Sequence, residues 1–331
     1  MEKILTFGEI MLRLSTIEST RLDESTEFRT HYGGGEANVA VSLANFDHHV
    51  GFASKVPDNP LGYAVKKHLN KYGVDTSNLL FGGGRLGTYY LEKGAGLRGA
   101  NVIYDRAYSS FAEMQELEWD SIELFEGVNL LHISGITPAL SMKWQNLMVQ
   151  LIKKAREYDV KISLDINYRG KLWSVEECGA FIRKIARYID YCSAAKLDAL
   201  NFFKISEKED AGLDYYYQAI AESYPNIKVF YSTKRKVFDA QHNQLQGNFY
   251  QNGKLYQSKM YDINHIVDRV GGGDAFTAGI LHGLVKYNDP QKTIDFATAA
   301  STLKHTVSGD CNSFTEKEVQ DFLNTSGEIK R

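Results

Sequence analysis

The sequence predicts an α/β fold: a doubly wound, mostly parallel sheet flanked by helices, with a small β-sheet standing off it as a lid. Three observations predict it. Short β-branched or apolar runs alternate with helical periodicity along nearly the whole chain. Several of those runs are apolar throughout, as strands buried on both faces of a parallel sheet are. Two polar, strand-like stretches at residues 13–31 and 85–111 break the alternation.

In chain order, the apolar run from Ile4 to Leu12 reads as the first strand, and residues 13–31 as the first half of the lid. Helical spacing of apolar residues then covers Glu36 to Phe46, and a second strand follows at Val50 to Ser54. The helix from Leu61 to Tyr72 precedes the second lid stretch, whose insertion between core elements suits a mobile cover over a site. Strand Leu130 to Ser134, helix Met142 to Tyr158, strand Val160 to Ile166 and helix Val175 to Tyr188 continue the alternation, with a further strand at Val229 to Ser232. Residues 237–259 resemble antiparallel strands added to the sheet edge, before helices Ala275 to Tyr287 and Lys292 to Lys304. The expected division is a core of residues 1–12, 32–84 and 112–331 and a lid of residues 13–31 and 85–111. There is no internal repeat, low-complexity tract or clean linker.

With 331 residues, 43% hydrophobic and 24% charged, the chain can bury a large core, and only five prolines argue against long disordered linkers. No apolar run reaches the roughly eighteen residues of a membrane span, and MEKILTFGEIML carries no leader pattern, so the cytoplasm is the expected location. Cys178, Cys192 and Cys311 are too scattered for a disulfide framework or a zinc site and read as reduced thiols. Asn324-Thr325-Ser326 fits a glycosylation sequon by chance. A net charge of -3 without a basic stripe excludes nucleic acid as the expected partner.

GAGLRG at residues 94–99 matches a dinucleotide-binding fingerprint letter for letter. That fingerprint must open a helix after a strand, and here strand chemistry lies on both sides, so the stretch reads as a hairpin turn and an oxidoreductase is set aside. No P-loop sequence is present, and the histidines, His305 included, show no metal-ligand spacing.

Two other glycine clusters carry chemistry. HYGGGEANVAVSLANF at residues 31–46 ends a strand-like run in glycines and opens a helix. Gly33, Gly34, Gly35 and Asn38 sit where a ligand can approach the backbone, although a tight strand-to-helix turn explains this stretch equally well. DRVGGGDAF at residues 268–276 places Gly271, Gly272 and Gly273 before Asp274 at the start of a helix. Backbone N–H groups and the helix dipole then converge on one point, which suits a phosphate. An aspartate beside an anion site repels it, but a base that takes the proton from an attacking hydroxyl belongs there. An acidic N-cap would account for Asp274 and leave the glycine triplet unexplained.

The pair GGGEANVA and DRVGGGDAF, in that order and at that separation, resembles the two signatures of the ribokinase-like, PfkB-type carbohydrate kinases. The resemblance spans nearly the whole chain. The second signature usually reads D-T-x-G-A-G-D, from which Arg269 and Gly272 depart. Within the family the chain is most similar to 2-keto-3-deoxygluconate kinases: Tyr89, Tyr104, Arg106 and Arg169 match positions that hold a sugar acid there. An arginine can grip a carboxylate with two parallel bonds, and tyrosines form an amphipathic wall for sugar faces. Arg13 stands where related neutral-sugar kinases carry an aspartate, which the resemblance reads as a further hint of an acidic substrate.

The resemblance further implies ATP and Mg2+, with ATP at Asn167, Arg169, Ser206, Glu209, Thr233, Gly271 and Gly273, and Glu209 ordering water around Mg2+. It leaves open a monovalent cation near Asp268 and a homo-oligomer through the lid. The segment STKRKVFDAQ, at residues 232–241, lacks the glycine that many members carry in a nucleotide loop. The expected activity is ATP-dependent phosphorylation of the terminal hydroxyl of a sugar acid, with Asp274 as base and Asn38 and the Gly34 backbone holding hydroxyls. A neutral-sugar kinase of the same family and a sugar-binding sensor without catalysis are the alternatives.

Overall fold

The computed structural model describes residues 3–17 and 20–324; the sequon at Asn324-Thr325-Ser326 runs out of the described residues. Its strands are β1 (Lys3–Phe7), β2 (Met11–Thr16), β3 (Phe28–Gly33), β4 (His49–Val56), β5 (Leu79–Phe81), β6 (Thr88–Glu92), β7 (Asn101–Asp105), β8 (Val128–Ser134), β9 (Lys161–Asp165), β10 (Tyr191–Ser193), β11 (Val229–Val237), β12 (Asn243–Gln251), β13 (Lys254–Gln257) and β14 (Tyr261–Ile263). The large sheet has the order β13-β12-β11-β10-β9-β8-β1-β4-β5, with β14 also paired to β12. It is parallel from β11 to β5 and antiparallel at the β12, β13 and β14 edge, as the pattern of apolar runs and the 237–259 segment suggest.

Helices cover both faces of this sheet. One face packs against Trp144, Leu151 and Phe181 from helices Met142–Glu157 and Val175–Ile185. The other packs against Val41, Val65 and Ala299 from helices Gly35–Asn45, Pro60–Lys71 and Pro290–Lys304. Local sequence starts these helices: Asn59 and Asp289 accept first-turn amides with proline in the first helical position, and Ser174 with Glu177 forms a reciprocal capping box.

A separate four-stranded sheet, β3-β2-β6-β7, is built from the two stretches that interrupt the alternation. GAGLRG is the turn region of its β6–β7 hairpin, where Ala95 and Arg98 exchange backbone bonds at 2.9 and 3.0 Å. The turn docks on the core through the Ala240 amide, which donates to the Gly96 carbonyl at 2.8 Å.

The expected single strand from Ile4 to Leu12 is two strands in different sheets. β1 pairs with β4 and β8, then the chain breaks at Gly8-Glu9-Ile10 and β2 pairs with β3 and β6. Two apolar runs in succession hide the break, and a close approach reveals it: a Cβ on Gly8 would lie 2.3 Å from the Glu36 carboxylate. The expected helix to Tyr188 is α-helical only to Ile185 and tightens to a 3-10 turn at Ala186–Tyr188. The helix expected from Ala275 begins at Gly272, so the glycine triplet reaches into its first turn.

Candidate functional site

A cavity of about 630 Å³ opens between the two sheets. Its floor is the junction of β3 with helix Gly35–Asn45 and the start of helix Gly272–Lys286, and its roof comes from β6 and β7. Gly34, Gly35, Asn38, Tyr89, Tyr104, Arg106, Asn167, Arg169 and Asp274 all line it. These residues, expected from sequence at the sugar or the nucleotide, come to one cavity from five separate parts of the chain. Ser206, Glu209 and Thr233 lie outside this lining: the first two sit in the loop before helix Leu213–Ser223, and Thr233 is an exposed residue of β11 opposite Gly247.

The two glycine clusters meet through their side-chain neighbours. Asn38, 3% exposed, donates its Nδ2 to Asp274 Oδ2 at 2.6 Å. Gly34 is required by close packing, since a Cβ there would stand 2.0 Å from the Glu9 carbonyl oxygen. Gly35 faces the cavity instead: its Cβ would be 3.8 Å from both Asn167 Nδ2 and Asp274 Oδ1.

Asp274 occupies the first turn of its helix and is half-buried. Burial raises its pKa to about 7, with the negative charges of Asp165 and Glu36 adding to the rise while the Asn38 amide and Arg169 oppose it. A carboxylate at this value is poised to exchange a proton near neutral pH.

Gly271 has φ +82°, and a Cβ on it would fall 1.7 Å from the Asp310 carbonyl oxygen, so only glycine fits this helix entry. The Gly272 amide donates to the Arg269 carbonyl at 3.2 Å. Among the described residues the amides of Gly271, Gly273 and Asp274 have no protein acceptor, which leaves donors at the positive end of the helix dipole. Gly271 and Gly273 thus keep amides free at the helix start, whereas Gly272 is held by packing: a Cβ on it would press to 2.6 Å from the buried His305 ring. Nothing lies within 4 Å of a Cβ on Gly273. Burial lowers the Arg269 pKa and the nearby Arg235 charge adds to the fall, so two cationic side chains lie beside this turn.

Arg106 reaches the cavity but is not free there. Its Nε donates to Glu9 Oε2 at 2.9 Å, its Nη2 bonds to the same oxygen, and the Ser109 hydroxyl donates to Glu9 Oε1 at 2.5 Å. The guanidinium also sits 5.9 Å from the centre of the Tyr104 ring, which in turn lies 5.7 Å from the Tyr89 ring. Arg13 corrects an expectation. It does not line the cavity; it is fully buried and bonded to Asp268 at 2.6 Å and Asp310 at 2.8 Å. The residue after β1 that does enter the cavity is Glu9.

Sequence reasoning also missed Glu36 and Lys171, which line the cavity. Glu36 is buried, accepts from the Ser134 hydroxyl at 2.6 Å and amide at 3.1 Å, and has its pKa raised by burial. Its place inside the GGGEANVA motif was a signal for it, while nothing short-range marks Lys171. A second cavity of about 670 Å³ adjoins the first, sharing Ala100 and Val270, between the β6–β7 turn and residues 237–241 and 265–270.

Comparison with known proteins bears on this geometry. The model of the pfkB family of carbohydrate kinases matches residues 1–317. A 2-dehydro-3-deoxygalactonokinase of Haloferax volcanii is 30% identical over 323 residues, covering 97% of this chain and 96% of that protein. The crystal structure of a 2-dehydro-3-deoxygluconokinase from Thermotoga maritima superposes with a TM-score of 0.94 at 37% identity, over 98% of this chain and 100% of that one. A PfkB family carbohydrate kinase from Listeria grayi gives 0.94 at 45% identity, with the same coverage.

Proposed function

The chain belongs to the pfkB family of carbohydrate kinases, and on that premise we propose that it transfers the γ-phosphoryl group of ATP to the terminal hydroxyl of a sugar acid, 2-keto-3-deoxygluconate being converted to its 6-phosphate. Support comes from relatives named as kinases of 2-dehydro-3-deoxygluconate, which is 2-keto-3-deoxygluconate under another name, and of its galacto stereoisomer. The single observation that carries the reading is Asp274: a carboxylate with its pKa near 7, in the first turn of a helix with unspent amides, on the floor of a lid-covered cavity that also holds Arg106 and Arg169.

In this reading the sugar acid lies between lid and sheet. Asn38 and the Gly34 backbone hold hydroxyls, Tyr89 and Tyr104 cover a face, and Arg106 with Arg169 takes the carboxylate end. Ionised Asp274 accepts the proton of the terminal hydroxyl as that oxygen bonds to the γ-phosphorus and the bond to the ADP oxygen breaks. Amides of Gly271 and Gly273 receive the developing charge; a donor so placed is worth ~3 kcal/mol. Kinases of this family use ATP and Mg2+, the ion supplying screening of phosphate charge. Glu209, an exposed carboxylate, fits a magnesium held through water, and Asn167, Ser206 and Thr233 remain the proposed nucleotide contacts. The lid and core boundaries at residues 12/13, 31/32, 84/85 and 111/112 belong to the same reading. So does a homo-oligomer through the lid, supported by exposed Ile103 on the edge strand β7 and testable by light scattering. No helix among the described residues is long and apolar enough to cross a membrane, and the cytoplasm stays the proposed location.

One observation favours a second reading. Arg106 is already paired with Glu9, so its charge is compensated before any substrate arrives, which suits a neutral sugar. An ADP-release assay across sugar acids, ketoses and pentoses decides. A kcat/KM for a 2-keto-3-deoxy acid at least about tenfold above that for any neutral sugar supports the first reading. Preference for a ketose establishes the second, and no ADP release with any acceptor removes both.

A further inference from the structure

Behind the glycine turn, two cations and two carboxylates are buried together. Arg13 and Lys304 are each 0% exposed, Asp268 6% and Asp310 3%. Lys304 Nζ donates to the backbone carbonyls of Asp268 at 3.3 Å and Val307 at 3.4 Å. Arg13 spans the two carboxylates.

A ring of carbonyl oxygens that replaces water is how proteins hold an alkali-metal ion. Here such oxygens already carry an ammonium. Every carboxylate oxygen nearby is also taken: Asp268 Oδ1 by the Val270 amide at 3.1 Å, and Oδ2 by Arg13 and by the Gly309 amide at 3.1 Å. On Asp310, Oδ1 accepts from Arg13 at 2.8 Å and Oδ2 from the Tyr89 hydroxyl. Charge leads to the same answer. Two buried cations balance two buried carboxylates, and a further ion would add an uncompensated charge among buried groups, which is unfavourable. The residues present do not fit a monovalent metal ion beside Asp268.

We propose that Lys304 is a tethered cation: its ammonium, seated on the Asp268 and Val307 carbonyls, fills the place of a monovalent ion and makes the chain independent of one. Lys304 is a positioning residue. Asp268 leads into the turn that presents Gly271 and Gly273, and Val307 lies in the loop whose Asp310 carbonyl abuts Gly271. The ammonium ties these two loops, and Ser301 reinforces the tie by donating to the Gly272 carbonyl at 2.8 Å. The proposal rests on the kinase reading for its effect on rate but not for its effect on the cation-binding property of the protein.

The experiment compares wild type, Lys304→Ala and Lys304→Met in buffers whose only monovalent cation is tetramethylammonium, then with potassium, sodium or ammonium added. Wild-type ADP release is expected to change by less than about twofold, and its melting temperature to be the same in potassium and sodium. Lys304→Ala leaves a cavity at the carbonyls; it should lose at least about tenfold in kcat, and ammonium or potassium should restore much of the loss and raise the melting temperature of the ligand-free protein. Lys304→Met fills the space with an apolar chain and should show neither rescue. A wild type stimulated more than about fivefold by potassium overturns the proposal, as does an alanine variant that no monovalent cation restores in rate or melting temperature. The wild-type measurement decides even if both variants fail to fold. Should wild type release no ADP with any acceptor, the kinase reading falls, while the melting-temperature comparison still decides the tethered cation.

Discussion

Asn38 and Asp274, separated by 236 positions in sequence, are joined by a 2.6 Å hydrogen bond from the Asn38 amide to the Asp274 carboxylate. The bond ties the first glycine cluster to the second. It also holds the carboxylate oxygen in one orientation while the other, Oδ1, stays on the Gly35 side of the cavity. A base that must meet a hydroxyl within hydrogen-bond reach gains from such fixing.

Replacing that carboxylate by an amide keeps its shape and its bond to Asn38 but removes its basicity. Asp274→Asn should lower kcat by at least about a hundredfold and leave nucleotide affinity unchanged or slightly better, because a charge facing phosphate has gone. Rapid-quench rates and nucleotide titration check this. Retention of near-normal kcat would reduce Asp274 to a helix cap.

The pKa of about 7 predicts the pH profile. A base works ionised, so kcat/KM should rise with pH and level off above about 7. Asp165→Asn removes a negative charge that raises the Asp274 pKa and should move the midpoint down; Asn38→Leu removes the hydrogen bond that lowers it and should move the midpoint up. Stability follows the opposite sense. The native state holds the Asp274 proton more tightly than the unfolded chain, whose pKa is near the ordinary 3.8, so this contribution is complete below 3.8 and is lost as pH rises to about 7. Asp274→Asn should therefore gain stability over wild type between acid and neutral pH. The gain is on the order of 2 kcal/mol, below the full shift because the cavity is open to water. Equal denaturant midpoints for both proteins across that range would refute it.

What the sequence made legible follows from range. Parallel strands such as β8 and β9 are apolar on both faces, and the helices between them keep their spacing, so the alternation is readable locally. β5, β10 and β14 are three residues each, too short to show a period, and escaped. Asp274, Asn38 and the glycines declared themselves because a motif packs its chemistry into a few adjacent residues. Glu9 and the burial of Arg13 depend on contacts across about a hundred residues or more, with Arg106 in one case and with Asp268 and Asp310 in the other, and no short pattern reports those.

Gly272 is where the structure reverses the sequence expectation. Because alanine is the commoner residue there among similar kinases, Gly272→Ala looks harmless from sequence alone. In this chain the added Cβ would lie 2.6 Å from His305, which is 3% exposed and fixed by a 2.7 Å bond between Nδ1 and the Ser301 carbonyl. Gly272→Ala should thus destabilise by roughly 1–3 kcal/mol as an overpacked site. Combined with His305→Ala, which makes room, it should cost less than the sum of the two single changes. Gly273→Ala should fold normally, since its Cβ meets nothing within 4 Å, while Gly273→Val should abolish turnover by obstructing the anion site. Urea midpoints read the first pair and kcat the second; additive free energies for Gly272 and His305 would mean that the two do not touch.

The pairing of Arg106 with Glu9 gives the sharpest test of the substrate class. If the guanidinium is to serve a substrate carboxylate, Glu9 competes with the substrate for it. Glu9→Gln removes the competing charge, so KM for the sugar acid should fall, whereas KM for a neutral analogue with an alcohol in place of the carboxylate should not. Arg106→Lys keeps the charge without the planar fork, and Arg106→Ala loses both, so kcat/KM for the acid should fall stepwise, by about one to two decades for alanine. Arg106→Ala also strands the buried Glu9 carboxylate, so the double variant Glu9→Gln/Arg106→Ala is the fair reference for stability. In that double variant, exchanging the substrate carboxylate for an alcohol should cost almost nothing, while it costs wild type heavily. Equal penalties in the two proteins would show that Arg106 spends its charge on Glu9 alone, and would assign the cavity to a neutral sugar.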